Sequence, residues 1–298
     1  MQPVSYNFRT MKTTKPLFAP ALAIGLTVIL GMATSHAQTA TTTSAPEAVA
    51  QKAPSMSAAP KKWSVSWGWN RSSYSSGDIH FWGADHDFTL RNVAATDLQT
   101  DLSSETLFGT YLNPKEITIP QTNLRVSYQY SPDLVIALNL DHMKYVMTPD
   151  QVVPISGQIK GVAQSGNQVL ATNYINFEHT DGLNIISLEL EKQRSVDWFG
   201  GRFPSRVFGL AGVGIVVPKS NVTLNMLGRS RNDEFHLAGY SLGLGVGLEV
   251  DIYKDLFFRT AYKLGYVNLP DVVTSSLGDK ASHNFTYNEV LISLGLRF

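Results

Sequence analysis

The stretch "HLAGYSLGLGVGLEVDIY" (236–253) alternates apolar and small or polar residues for eighteen positions. Ala238, Tyr240, Leu242, Leu244, Val246, Leu248, Val250 and Ile252 share one face. Ser241, Gly243, Gly245, Gly247, Glu249 and Asp251 share the other. Successive side chains on a strand point to opposite sides, so this is one long strand with one greasy face. The same period marks 63–70, 123–130, 133–141, 183–191, 205–217, 255–267 and the closing "EVLISLGLRF" (289–298), although the parity of the strands from 205 and 255 is ambiguous.

Eight such strands define an all-β fold, and their connections define its topology. "SPD" (131–133) and "KD" (254–255) are tight and 196–204 is moderate, whereas 71–114, 142–182, 218–235 and 268–283 are long. Strict alternation of short and long connections predicts an up-and-down antiparallel transmembrane β-barrel with short periplasmic turns and long extracellular loops. The runs "DIHFWGADHDFTL" and "NYINFEHTDGL" inside those loops have strand-like composition, so several strands are expected to project beyond the membrane as hairpins. A soluble barrel would show the same period with the apolar face turned inward. Bulk separates the two. Trp, Tyr, Leu and Phe are too large in aggregate for the inside of eight strands, while the opposite faces hold Gly, Ser and a mixed set of charges. Those charges are Arg125, Asp141, Glu189, Glu191, Glu249, Asp251, Arg259, Lys263, Glu289 and Arg297, predicted to pair across a side-chain-filled lumen.

Composition agrees. Charged residues are 16% and apolar ones 43% of the 298 residues, and there is no cysteine, so neither a disulfide framework nor a thiolate metal site is available. The 24 basic and 24 acidic residues balance, and nothing in them suggests a nucleic-acid partner. Lys12 and Lys15 precede the apolar run 17–33, and Ser35 and Ala37 form a small-residue cleavage pattern. Residues 1–37 therefore read as a signal peptide, with Met11 a natural start, exporting the chain to the bacterial outer membrane. The Ala, Thr, Ser and Pro-rich segment 38–61 reads as a disordered linker ahead of a barrel over 62–298. Trp63, Tyr128, Tyr130 and Tyr253 fall near the short-turn ends, where amphipathic rings favour the membrane interface.

The closing strand resembles the carboxy-terminal recognition strand of bacterial outer-membrane barrels: terminal Phe298, apolar residues at every second position before it, and Ser293 and Gly295 between. The resemblance implies that the barrel-assembly machinery reads this strand. Stretches such as "DHMKYVM" and "DEFHLAGY" also resemble a poorly characterised group of Gram-negative envelope barrels, which implies the fold and leaves the activity open.

Chemistry is concentrated near the long loops. His80, His86, His142, His179 and His236, accompanied by Asp85, Asp87, Glu178 and Asp233, are candidate metal ligands at the outer rim, and His142, His179 and Asp141 are candidates for acid/base catalysis on a lipid. Polar residues of every kind gather outside a membrane band, so a solvated or loop-pinning role is the plainer reading. No nucleophile motif accompanies them, and no cofactor is expected. Three functions follow: a surface-interaction or envelope-integrity barrel contacting outer-membrane lipid, lipopolysaccharide or an unidentified extracellular ligand; a lipid-modifying hydrolase; or a small-solute channel.

Overall fold

The computed structural model describes residues 61–113, 115–116 and 119–298. The leader and all but the last residue of the linker lie outside the described residues. Fifteen strands follow in chain order: β1 (Trp63–Tyr74), β2 (Gly77–Gly83), β3 (His86–Val93), β4 (Ala95–Thr96), β5 (Thr122–Ser131), β6 (Leu134–Met147), β7 (Val152–Ile159), β8 (Val162–Gln164), β9 (Asn167–Val169), β10 (Ile175–Val196), β11 (Ser205–Leu224), β12 (Arg229–Phe235), β13 (Gly239–Tyr253), β14 (Leu256–Val273) and β15 (Lys280–Arg297). A short helix, α1 (Ser104–Thr106), runs into a single wide turn over Leu107–Tyr111. Among the described residues no helix is long and apolar enough to cross a membrane.

Eight strands close a barrel in the order β1, β5, β6, β10, β11, β13, β14, β15, with β15 returning to β1 and every neighbour antiparallel. These are the eight strands marked by the period-two pattern. The seam is formed by the two ends of the barrel chain: Ser64 faces Arg297, Phe298 donates its N–H to the Trp63 carbonyl at 2.9 Å, and Trp63 donates to the Phe298 carbonyl at 3.2 Å. At this end lie the connections 132–133, 197–204 and 254–255, and the Trp63 ring rests 4.9 Å from that of Tyr128.

The strands are longer than the alternation suggests. β10 has 22 residues and β11 has 20, about twice the 9 to 11 that cross a bilayer. The segments 218–235 and 268–283, read from sequence as loops, are largely strand: β11 runs on to Leu224 and turns back as β12, and β14 and β15 meet across 274–279. Where β1, β5 and β13 end, loop-borne strands take their places. β2 pairs with β15 above β1, β4 pairs with β6 above β5, and β12 pairs with β11 above β13. The hairpin of β2 and β3 then adds β7.

The polarity of the inner face changes with height. Near the short turns the inner face carries Arg125, Glu189, Glu191 and Lys263, all buried, while the outer face carries exposed Leu188, Leu190, Leu244 and Ile292. Further up the same strands the inner face becomes apolar: Phe177 and Ile175 on β10, Val222 and Leu224 on β11, Val267 and Leu269 on β14, Phe285 on β15. With Phe81, Phe88, Met143 and Tyr145 these form one large core. The outer face there holds Glu178, Thr180, Lys219, Asn268 and Asn284 instead. The expectation that each strand keeps its charged side inward therefore holds for the lower half only. Ala238, assigned from sequence to the outer face of a strand starting at His236, lies before β13 and is buried in the upper core.

Candidate functional site

Lower lumen and upper core are the two places where the barrel gathers side chains that carry chemistry. In the lumen, acids and bases alternate along one connected chain. Lys263 donates to Asp141 and Glu189, each at 2.9 Å, and Asn139 donates to Asp141 at 2.9 Å. Arg125 donates to Glu189 and, at 2.8 Å, to Glu191. Arg259 bridges Glu191 at 3.2 Å and Glu249 at 3.5 Å. Arg297 pairs with Glu249 and, at 2.7 Å, with Asp251, which also accepts two bonds from Arg206 at 3.0 and 3.1 Å. All the barrel strands except β1 contribute a charge, and β1 supplies Ser66, Gly68 and Asn70 in the same interior, leaving room for the others. Removing ions from water is costly, and these acids and bases offset that cost by pairing with one another.

Sequence inspection named most of this chain but missed Arg206, Asn123, Asn139 and Gln193. Arg206 sits on a strand whose parity is unreadable from sequence, and the amides carry no charge to flag them. Glu289 stands apart: it is fully buried, and among the described residues no donor reaches its carboxylate. Apolar groups share the lumen. Phe208, Leu210, Ala261 and Leu291 form a small cluster, with the Arg259 guanidinium 3.7 Å above the Phe208 ring. Two rings explain two glycines. A Cβ on Gly265 would lie 2.3 Å from the Tyr287 ring, and one on Gly295 would lie 2.2 Å from that of Phe257. A cavity of about 10 Å³ between Arg125, Arg259 and Lys263 has room for one water.

The histidines are dispersed. His80 bonds Asp87 at 2.8 Å and His86 bonds Asp85 at 3.0 Å, both on the β2 and β3 hairpin. His236 lies 3.4 Å from Asp271. His142 bonds Asn184 at 2.8 Å on the outer face, opposite to the lumen face of its neighbour Asp141. His179 is not at the rim but wholly buried in the upper core, where its Nε2 lies 3.2 Å from His283 Nε2 and its Nδ1 lies 2.8 Å from Ser220 Oγ. Among the described residues no group of three or more His, Asp or Glu side chains is placed to hold a metal ion. The catalytic candidates do not converge either: Asp141 is bound in the lumen network, His142 faces away from it, and His179 belongs to another layer.

The histidine pair is the feature sequence could not reveal. Tyr145, Phe177 and Phe285 surround it with ring centroids 4.8 to 5.7 Å apart. Burial pushes His179 down to about 3, and burial, reinforced by the neighbouring His179, holds His283 well below its ordinary value. Both rings are neutral at physiological pH, and the pair shares one hydrogen bond.

Fold and interior together define a closed eight-stranded β-barrel with an ion-paired lumen and a long structured extension at one end. No protein-family model and no curated relative matches the sequence. Solved structures similar in fold include Neisserial surface protein A, at 10% identity and TM-score 0.35, over 79% of this chain and 97% of that one. The outer membrane protein AlkL in lipid bilayers is 14% identical at TM-score 0.36, over 84% and 97%. OprG from Pseudomonas aeruginosa is 10% identical at TM-score 0.36, over 80% and 96%.

Proposed function

We propose that the chain is an integral protein of a Gram-negative outer membrane that acts through its extra-membrane extension, in surface interaction or envelope integrity. The observation that carries this is the belt of exposed aliphatic side chains, among them Leu138, Leu188, Leu190, Val213, Leu242, Leu244, Leu264 and Ile292, wrapped around a lower barrel whose ion-pair chain is turned in. In water such a belt is a far larger apolar patch than a soluble monomer tolerates. In a bilayer it is the required surface. The tight-turn end, with both barrel termini, faces the periplasm, and the extension faces outward, in contact with lipopolysaccharide. The strand ending at Phe298 engages the assembly machinery before closing against β1.

The extension supports a rigid interaction surface, because an apolar core holds its strands together and leaves little to flexible loops. A channel needs an open lumen, and an ion-pair chain spanning the interior argues against one. A hydrolase needs a base beside a nucleophile at the lipid interface, and the separation of His142, His179 and Asp141 argues against that. Refolding into lipid vesicles tests the proposal. Refolded protein should migrate as a compact species that heating unfolds, give no steady conductance, and leave lipid profiles unchanged. Monodisperse protein in detergent-free buffer would overturn it.

A further inference from the structure

Between β4 and β5 the described residues, 97–113, 115–116 and 119–121, do not extend into the upper core. They fold back on the outer wall of the barrel. Arg71, the first outward residue of β1 above Trp67 and Trp69, donates to the Thr100 carbonyl at 2.9 Å, and the Tyr111 ring stands 5.8 Å from that of Trp69. Lys144, on the outer face of β6 above Leu138 and Leu140, donates to the Ile119 carbonyl at 2.6 Å. The segment thus covers Arg71 and Lys144, two cations standing directly above the aliphatic belt. Ser103 caps α1, its Oγ accepting from Thr106 N at 3.1 Å. Away from the wall the segment presents Leu98, Leu102, Phe108, Leu112 and Ile119, with Leu102 and Phe108 more than 70% exposed, interspersed with exposed Asp101, Glu105 and Lys115.

We propose that residues 97–113, together with Ile119, form a lipid-facing collar, inserted at the boundary between headgroups and acyl chains of the outer leaflet, rather than a loop for an external ligand. This rests on the proposed lipid-facing belt, to which the collar is joined by the packing of buried Tyr111 on Trp69, itself 5.0 Å from Trp67. A segment bonded to protein on one side, and presenting both large apolar residues and charged ones on the other, suits the interface plane, where its greasy residues enter the acyl boundary and its polar ones stay among the headgroups. A neighbouring protein would leave the apolar surface exposed until it arrived, while the leaflet is present at the same height on every side.

The test places an environment-sensitive fluorophore on Phe108→Cys, and in parallel on Leu112→Cys, in the full chain refolded into phosphatidylcholine vesicles. Bromines sit either near the glycerol end or deep in the acyl chains, and iodide is the aqueous quencher. Leu188→Cys on the belt and Leu277→Cys at the far end of the extension are the references. The collar labels should be quenched severalfold more by shallow bromines than by iodide, Leu188→Cys by deep bromines, and Leu277→Cys by iodide alone. If the collar labels behave as Leu277→Cys while Leu188→Cys is still quenched by lipid, the collar is overturned and the barrel stands. If Leu188→Cys is not quenched by lipid either, the belt itself is wrong. Protection of the collar labels from both quenchers that changes with protein density would overturn the collar in favour of contact between copies.

Discussion

Below the rim, the barrel is charged inside and aliphatic outside; above it, the same strands are aliphatic inside and polar outside. β14 carries both patterns, with Arg259 and Lys263 inward below and Val267 and Leu269 inward above. The side of the sheet is constant along the strand, and only the solvent changes. In lipid, the outer face must be apolar, and the charges go inward, where they satisfy one another. In water, the ordinary rule of an apolar core returns. The contrast identifies where one solvent gives way to the other, near Tyr266 on β14 and Asn184 on β10.

Breaking one partner in each region gives the largest effects. Arg125→Met removes the cation shared by Glu189 and Glu191, leaving each only one cationic partner, Lys263 or Arg259, and one buried negative charge in excess, and should cost about 3 to 5 kcal/mol, read from urea unfolding in vesicles. Phe177→Ala in the upper core should cost a similar ~3 to 5 kcal/mol, but hydrogen exchange should accelerate in β2, β3 and the upper part of β10 while lumen amides stay protected. Leu244→Arg on the belt should cost about 2 to 4 kcal/mol in a bilayer. Thr223→Arg, on the outer face of the extension, should stay within about 0.5 kcal/mol, since that face is in water. Equal penalties for Leu244→Arg and Thr223→Arg would erase the distinction.

Acid should loosen the extension before the barrel. His179 and His283 are depressed when folded, so unfolding takes up protons below the ordinary histidine value near 6.5, and stability is full above it. It should fall as pH drops from there toward about 3, by at most about 1.4 kcal/mol per pH unit for each ring. Hydrogen exchange around Tyr145 and Phe285 measures this, and His179→Leu should flatten the dependence.

The eight barrel strands are legible in the sequence because period two survives whichever face meets lipid. Most of the lumen charges are legible because large apolar residues flank them on the opposite face, as Leu188 and Leu190 flank Glu189. Parity fails where the solvent changes: Ile215, Val216 and Val217 are all apolar on β11 because Ile215 meets the belt and Val216 the upper core, so no single face can be read there. The rim reading of His179 misleads for a different reason. His179 and His283 are far apart in sequence and meet only through the closure of the barrel and the length of β10 and β15. Likewise Ala95 and Thr96 join β6 by pairing with Met147 and Val146, a contact without any local pattern.

Spin labels placed in turn along β14, from Phe258 to Pro270, measure the exchange of solvents directly through their accessibility to oxygen, which concentrates in lipid, and to a water-soluble nickel complex. At the outward positions Phe258, Thr260, Tyr262 and Leu264 oxygen should dominate, at Asn268 and Pro270 nickel should dominate, and at inward Ala261, Val267 and Leu269 neither should reach the label. Nickel access along all the outward positions, or oxygen dominance running unbroken through Pro270, would contradict a barrel that changes solvent partway along its strands.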